Sequence, residues 1–256
     1  MFIRLGGNVF HAQVEGPENA PAVLMLHSLS ANLHIWDPQA RALAKTYRVV
    51  RMDLRGHGLS EVPAGPYSMA MLAGDAFALL DTLGITVAHV AGLSIGGRIA
   101  LQMAKQAPSR VASLMLCDTA LEMRPPEMWQ QRIEAVTAEG TAAVVEATMG
   151  RWVVDATLAS ATGLRRMILA TDRAGYCGAA AALRDCSAAE VAGIACPTTI
   201  IVGEKDTSTP VAAAQAINAA IPGSRLVVVP DAAHIPCFEQ ETLVTRTLLA
   251  HLEAAS

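Results

Sequence analysis

Ser94 stands in Gly92-Leu93-Ser94-Ile95-Gly96, preceded by an apolar, β-branched run over residues 87–91 and followed by a helical pattern. Strand, tight turn and helix in that order hold a serine hydroxyl clear of a sheet on a strained corner, where it can act as a nucleophile. Glycine at 92 and 96 removes Cβ atoms that would crowd the turn. The helix starting at Ile95 turns free N–H groups and a positive dipole end toward the serine. Taken alone, Gly-x-Ser-x-Gly arises by chance in about one chain in ten of this length. Its weight therefore rests on what else the chain supplies.

A serine hydroxyl needs a base, and the base needs an acid to orient it. His234, in Asp231-Ala232-Ala233-His234-Ile235-Pro236, follows the last apolar strand pattern. Asp206, in Gly203-Glu204-Lys205-Asp206-Thr207-Ser208-Thr209-Pro210, follows the strand before it. The resulting order Ser, Asp, His is the one expected when a Gly-x-Ser-x-Gly nucleophile shares a sheet with its partners. Asp118, in Leu116-Cys117-Asp118-Thr119, ends another strand and is the alternative acid. Asp206 is preferred because its strand and loop immediately precede the histidine strand. Glu204 and Asp231 read as solvated loop residues. Charge developing on an attacked carbonyl oxygen needs two N–H donors. Ile95 supplies one, and Leu29, in the loop after the strand ending at Leu26, is the candidate for the other. His27 is expected to hold that loop through hydrogen bonds.

The elements that must position these residues follow from apolar periodicity. Residues 2–15 alternate around Gly6-Gly7-Asn8 and predict a hairpin. Short apolar runs at 22–26, 47–52, 87–91, 111–117, 198–202 and 225–229 predict strands, with 22–26 the kind buried on both faces and 111–117 another buried strand. Helices are predicted over 36–44, from a Ser68 cap to Gly84, over 95–107, over 211–220 and over about 239–252. Alternation of this kind implies an α/β fold: a mostly parallel, eight-stranded sheet covered by helices on both faces. The rhythm breaks over 121–190, which shows helical stretches with Trp129, Trp152 and Tyr176. The expected organisation is a core of residues 1–120 and 191–256 with 121–190 inserted as a helical cap. In such sheets ligands gather at the carboxyl ends of the strands, where Ser94, Asp206 and His234 all fall.

Composition removes other classes. The 256 residues are 52% hydrophobic and 16% charged, as in a globular chain. No apolar run approaches the roughly 20 residues of a membrane span, and no signal peptide is visible at the amino terminus. The net charge of −4 carries no basic cluster, so nucleic acid is not the expected partner. Five cysteines, none in a C-x-x-C pair, predict neither a disulfide framework nor a zinc site and suit a reducing cytoplasm. No H-E-x-x-H marks a metalloprotease site.

With these residues in view, the chain resembles the α/β-hydrolase superfamily over essentially its whole length. The motifs that carry the likeness are His27-Ser28-Leu29, Asp53-Leu54-Arg55-Gly56-His57-Gly58, Gly92-Leu93-Ser94-Ile95-Gly96-Gly97, Gly203-Glu204-Lys205-Asp206 and Ala233-His234-Ile235-Pro236. Within it the chain is most similar to the 3-oxoadipate enol-lactone hydrolases. The narrowing phrases are Leu116-Cys117-Asp118-Thr119-Ala120, Gly150-Arg151-Trp152 and the stretch from Gly175-Tyr176-Cys177 to Asp185. Ser28 replaces the glycine usual in the superfamily after this histidine, as in many enol-lactonases. The resemblance implies a small, anionic, unsaturated lactone, opened through an acyl-enzyme on Ser94 to give 3-oxoadipate with no metal or organic cofactor. A substrate carboxylate under an apolar cap needs a cationic partner. Arg151 beside Trp152 is the candidate clamp, with Arg132 and Arg98 in reserve. A general carboxylesterase or a carbon–carbon bond hydrolase would share the triad, and a non-catalytic, ligand-binding member of the fold is the alternative from another class. A haloalkane dehalogenase would need aspartate at position 94.

Overall fold

Two glycines with positive φ, Gly6 (52°) and Gly7 (94°), turn the chain between β1 (Phe2–Leu5) and β2 (Asn8–Glu15), forming the expected hairpin. The computed structural model describes residues 1–123 and 125–255. The strands continue with β3 (Ala22–Leu26), β4 (Arg48–Met52), β5 (Ala88–Leu93), β6 (Val111–Cys117), β7 (Thr198–Gly203) and β8 (Arg225–Val229). Among the described residues these form one sheet in the order β1-β2-β4-β3-β5-β6-β7-β8. β2 pairs antiparallel with β1 and β4, and every pairing from β4 to β8 is parallel.

The helices are α1 (Asp37–Leu43), α2 (Met69–Thr82) and α3 (Ile95–Gln106); then α4 (Pro126–Glu139), α5 (Ala142–Trp152), α6 (Ala159–Ala170) and α7 (Arg173–Asp185), all between β6 and β7; then α8 (Val211–Ala220), α9 (Pro236–Glu239) and α10 (Glu241–Ala254). Side chains alternate across a strand, so each strand feeds two cores. Leu24, Leu26, Val90, Leu114, Leu116 and Ile200 pack toward α2, α3 and α8. Val23, Met25, Ala91, Met115, Cys117 and Ile201 pack toward α1 and α10. This double burial is why β3 is apolar throughout and β5 is buried at every residue, its one polar side chain, His89, being paired with Ser113 Oγ at 2.7 Å. No helix among the described residues is long and apolar enough to cross a membrane.

The four helices between β6 and β7 sit on the core through very close backbone contact. Gly175 of α7 lies so near the 53–58 loop that a Cβ on it would stand 1.9 Å from Gly56 O. One turn on, Gly178 O accepts the Tyr67 N–H at 3.1 Å. The glycine spacing in the α7 sequence is thus a docking face.

Beyond shifts of a residue or so at element ends, three departures from the sequence pattern have a visible cause. The helix predicted over 36–44 is a 3-10 turn, Leu33–Trp36, running into α1, because the Asn32 side chain caps the chain at His34 N (3.0 Å). Strand β5 runs on to Leu93 because Gly92 and Leu93 still pair with Leu116 and Cys117. The helix predicted from 239 is broken at Gln240 (φ −129°) into α9 and α10. The break follows from Glu239, whose carboxylate accepts the N–H groups of Ala233 (2.7 Å) and Val154 (2.6 Å) and so belongs to the histidine loop.

Candidate active site

Ser94 joins β5 to α3 with φ 57° and ψ −114°, a conformation a residue with a side chain rarely adopts. Strain of this kind persists only when the surroundings over-determine it. Here Ser94 N–H donates to Cys117 O (2.9 Å), and Ser94 O accepts from the Thr119 hydroxyl (2.8 Å) and Arg98 N–H (3.2 Å). A Cβ on Gly92 would lie 2.2 Å from Gly96 O, and one on Gly96 would lie 2.4 Å from Leu26 O. The two glycines let the turn close on itself and on β3. Ser94 stays partly exposed while its neighbours are buried. Ile95 N–H lies in the first turn of α3, where N–H groups lack a helical acceptor.

His234, in the loop after β8, and Asp206, in the loop after β7, meet at the same end of the sheet. His234 Nδ1 and Asp206 Oδ2 are 2.8 Å apart, and both side chains are buried. Asp206 also accepts the Ser208 (2.7 Å) and Thr209 (3.2 Å) N–H groups and the Thr209 hydroxyl (2.6 Å). Burial pushes the Asp206 carboxyl up, but the His234 charge and these donors outweigh it and hold it below the usual carboxylate range. An ionised Asp206 fixes His234 with its proton on Nδ1, leaving Nε2 as the basic nitrogen. The histidine loop is tied to α5 as well: His234 N–H donates to Arg151 O (3.3 Å) and Ile235 N–H to Trp152 O (3.1 Å).

The loop carrying Leu29 is held by two histidines whose tautomers follow from their partners. His27 Nε2 accepts Leu54 N–H at 2.9 Å, so Nδ1 carries the proton and donates to Ser28 O at 2.7 Å. His57 Nε2 accepts Ser30 N–H at 3.2 Å and Nδ1 faces Arg55 O, giving the same neutral form. Burial lowers the pKa of both; at His57, with the charge of His27 adding to it, the value is pushed down to about 3. Both rings are therefore uncharged at neutral pH and act as rigid braces. Asp53 completes the frame by accepting the N–H groups of Leu33 (2.8 Å) and Leu59 (2.9 Å).

Ser94, Leu29 and His234 line a cavity of about 220 Å³, closed from the other side by α4, α5 and α7. Those helices contribute Arg132, Arg151, Trp152 and Tyr176. Arg132 stacks on Trp129 (4.8 Å to the ring centre) and reaches the Tyr176 phenol. The protein hydrogen bond of Arg151 is a long one, to the Thr148 hydroxyl (3.5 Å). Neither guanidinium is paired with a carboxylate among the described residues. Burial, and then the charge of Arg132, lowers the pKa of Arg151, though an arginine stays cationic at neutral pH. The cavity thus holds two unneutralised cations facing a serine, a histidine and free N–H donors.

The model of the alpha/beta hydrolase fold matches residues 21–241. The chain belongs to the alpha/beta hydrolase family. It is 34% identical to 3-oxoadipate enol-lactonase 1 of Acinetobacter baylyi, over 91% of this chain and 89% of that protein. It is 31% identical to 3-oxoadipate enol-lactonase 2 of the same organism, over 88% and 86%. Among solved structures it is similar to the enol-lactonase from Burkholderia xenovorans LB400, with a TM-score of 0.95 and 33% identity over 99% of this chain and 100% of that one.

The chain brings Ser94 and His234 to one cavity, with Leu29, Arg151 and Trp152 on its walls and Asp206 hydrogen-bonded to His234 outside its lining. Arg132, held in reserve on sequence grounds, lines it too. Arg98 does not: its guanidinium bonds Leu121 O and Ser187 O (2.8 Å), clasping the chain where it enters and leaves the four-helix segment. Its position on the helix after the nucleophile suggested the site, but the helical turn points it the other way. Thr209 and Tyr176 were missed. An Asp followed by Thr-Ser-Thr is the composition of a side-chain-capped turn, and that signal could have found Thr209. Tyr176 carries no sequence signal beyond its motif. Asp118, Asp206 and His234 offer metal-capable atoms within 4.8 Å of one another. The 2.8 Å separation of His234 Nδ1 and Asp206 Oδ2 is that of a hydrogen bond.

Proposed function

We propose that this hydrolase opens a small anionic lactone of the 3-oxoadipate enol-lactone class through an acyl-enzyme on Ser94. The observation that carries this reading is the pair of unneutralised guanidinium groups, Arg132 and Arg151, in the cavity of Ser94 and His234. A substrate carboxylate supplies the charge that this pair lacks, and a neutral ester does not. Similarity to the two enol-lactonases over most of the chain supports the same substrate class.

In this mechanism Ser94 Oγ adds to the lactone carbonyl while His234 Nε2 takes its proton. Asp206 stabilises the resulting imidazolium, and the N–H groups of Ile95 and Leu29 hold the oxyanion. Collapse breaks the ring carbon–oxygen bond and releases an enolate, a better leaving group than a simple alkoxide. The enol stays tethered to the acyl chain, so its tautomerisation to the ketone removes the route back to the lactone. Water activated by His234 then releases the 3-oxo diacid. The reaction draws on no metal or organic cofactor, residues 121–190 serve as its cap, and five free cysteines support a reducing, cytoplasmic setting. A direct comparison of kcat/KM for the enol-lactone and for p-nitrophenyl acetate tests the assignment. The anionic lactone is expected to lead by about 100-fold or more, the worth of a charge-assisted clamp of roughly 3 kcal/mol. A preference for the neutral ester would overturn it.

A further inference from the structure

Asp118 ends β6 beside the triad and takes no part in the steps above. It is fully buried, in the left-handed region at φ 41°. Its Oδ1 accepts Gly203 N–H at 2.8 Å, while Oδ2 is buried and no donor reaches it. One of its carboxyl oxygens lies within 4.8 Å of a carboxylate oxygen of Asp206 and of a ring nitrogen of His234. The other titratable groups around it are Glu239 and the thiols of Cys117 and Cys237, so among the described residues no lysine or arginine balances a charge there. An ionised Asp118 would set a second anion, with one bare oxygen, against Asp206 in a space closed to water.

We infer that Asp118 is a positioning residue of the hydrolytic site: a neutral carboxylic acid whose Oδ2–H donates to the Asp206 carboxylate, extending the His234–Asp206 pair by one link. One proton on Oδ2 removes the like-charge contact and turns the orphan oxygen into a donor, while Oδ1 keeps its bond to Gly203. The direction of the acid's titration agrees: burial first, then the charge of Asp206, push Asp118 well above the usual carboxylate range. Asp206 accepts from Ser208, Thr209 and His234 as well, so Asp118 draws on a carboxylate already shared. Its effect is to moderate the pull of Asp206 on the His234 imidazolium. The inference rests on the proposed use of Ser94 and His234, but not on the identity of the lactone.

Two variants and two readouts test it. Asparagine at 118 can accept from Gly203 through its oxygen and donate to Asp206 through its amide, whereas alanine can do neither. With p-nitrophenyl acetate, Asp118→Ala should lower kcat about 10-fold, the worth of a hydrogen bond to a charged group, and raise the acid limb of the kcat/KM profile by roughly 0.5 to 1 pH unit. Asp118→Asn should restore the limb to its wild-type position and recover most of kcat. A merely structural role would lower the melting temperature of both and leave the limb in place. The direct readout uses no substrate: the wild-type minus Asp118→Asn infrared difference spectrum at pH 7 should show the C=O stretch of a protonated carboxylic acid. A carboxylate band there instead, or Asp118→Asn failing as Asp118→Ala does, would overturn the assignment whether or not the enzyme proves to be a lactonase.

Discussion

Replacing Arg151 and Arg132 by glutamine, singly and together, tests how the cavity reads charge. A guanidinium about 4 Å from a substrate carboxylate interacts by roughly 4 kcal/mol at the effective dielectric of a partly exposed site. Both arginines are only half-buried, and water solvates the free carboxylate, so the net worth of each contact is nearer 1.5 to 3 kcal/mol. Each single variant should therefore lower kcat/KM for the anionic lactone about 10- to 100-fold. The two charges also repel each other, since Arg132 helps lower the pKa of Arg151. Removing one relieves the other, and the double variant should lose less than the product of the singles. Arg132→Gln gives up its stacking on Trp129 but sheds that repulsion, so its melting temperature should change by no more than a few degrees. The assay is steady-state turnover of the lactone beside p-nitrophenyl acetate, whose kcat/KM should stay within about threefold of wild type if glutamine preserves the packing. An unchanged ratio of lactone to neutral ester in all three variants would refute the clamp.

Two further outcomes follow from the core. Gly96→Ala places a Cβ 2.4 Å from Leu26 O, a backbone atom at the carboxyl end of β3 held by the strands on either side. It should cost about 2 to 3 kcal/mol in urea unfolding and lower ester turnover at least 10-fold, and wild-type behaviour would show that the tight turn has slack. His251, buried between Thr199 and Ser113, is pushed down to about 4 by burial and by the charges of His89 and Arg225. The unfolded chain binds that proton near pH 6.5 and the folded chain does so only near 4, so His251's contribution is complete above pH 6.5 and is lost as pH falls through that window. The loss is about 3 kcal/mol at most, readable as a fall in urea midpoint from pH 7 to 4.5 that is smaller in His251→Asn.

What was legible in the sequence was whatever a local pattern encodes. Apolar runs, interrupted only by His89 and Ser113, announced β3, β5 and β6 because both faces of those strands are covered, and Gly92 and Gly96 announced the turn at Ser94 because a Cβ on either would collide with backbone. Chain order and strand ends picked Asp206 over Asp118, and the structure sets Asp206 against His234 Nδ1. What stayed hidden depends on distant partners. The break at Gln240 comes from Glu239 reaching Ala233 and Val154, which no periodicity records. Arg98 and Arg132 were indistinguishable as sequence, yet one clasps backbone carbonyls and the other lines the cavity. The identity of the brace between His27, His57 and the Leu29 loop likewise needed the fold, because residues 27 and 57 are brought together only by neighbouring strands.

The most direct measurement of the central claim is opening of 3-oxoadipate enol-lactone by wild type and by Ser94→Ala at equal, verified folding. Wild type should turn the lactone over in preference to a neutral ester, and Ser94→Ala should fall by about 10,000-fold or more, to the residue left by the oxyanion donors and binding alone. Lactone opening that survives the loss of the Ser94 hydroxyl would contradict the acyl-enzyme. A wild-type enzyme that hydrolyses neutral esters and leaves the lactone closed would contradict the substrate.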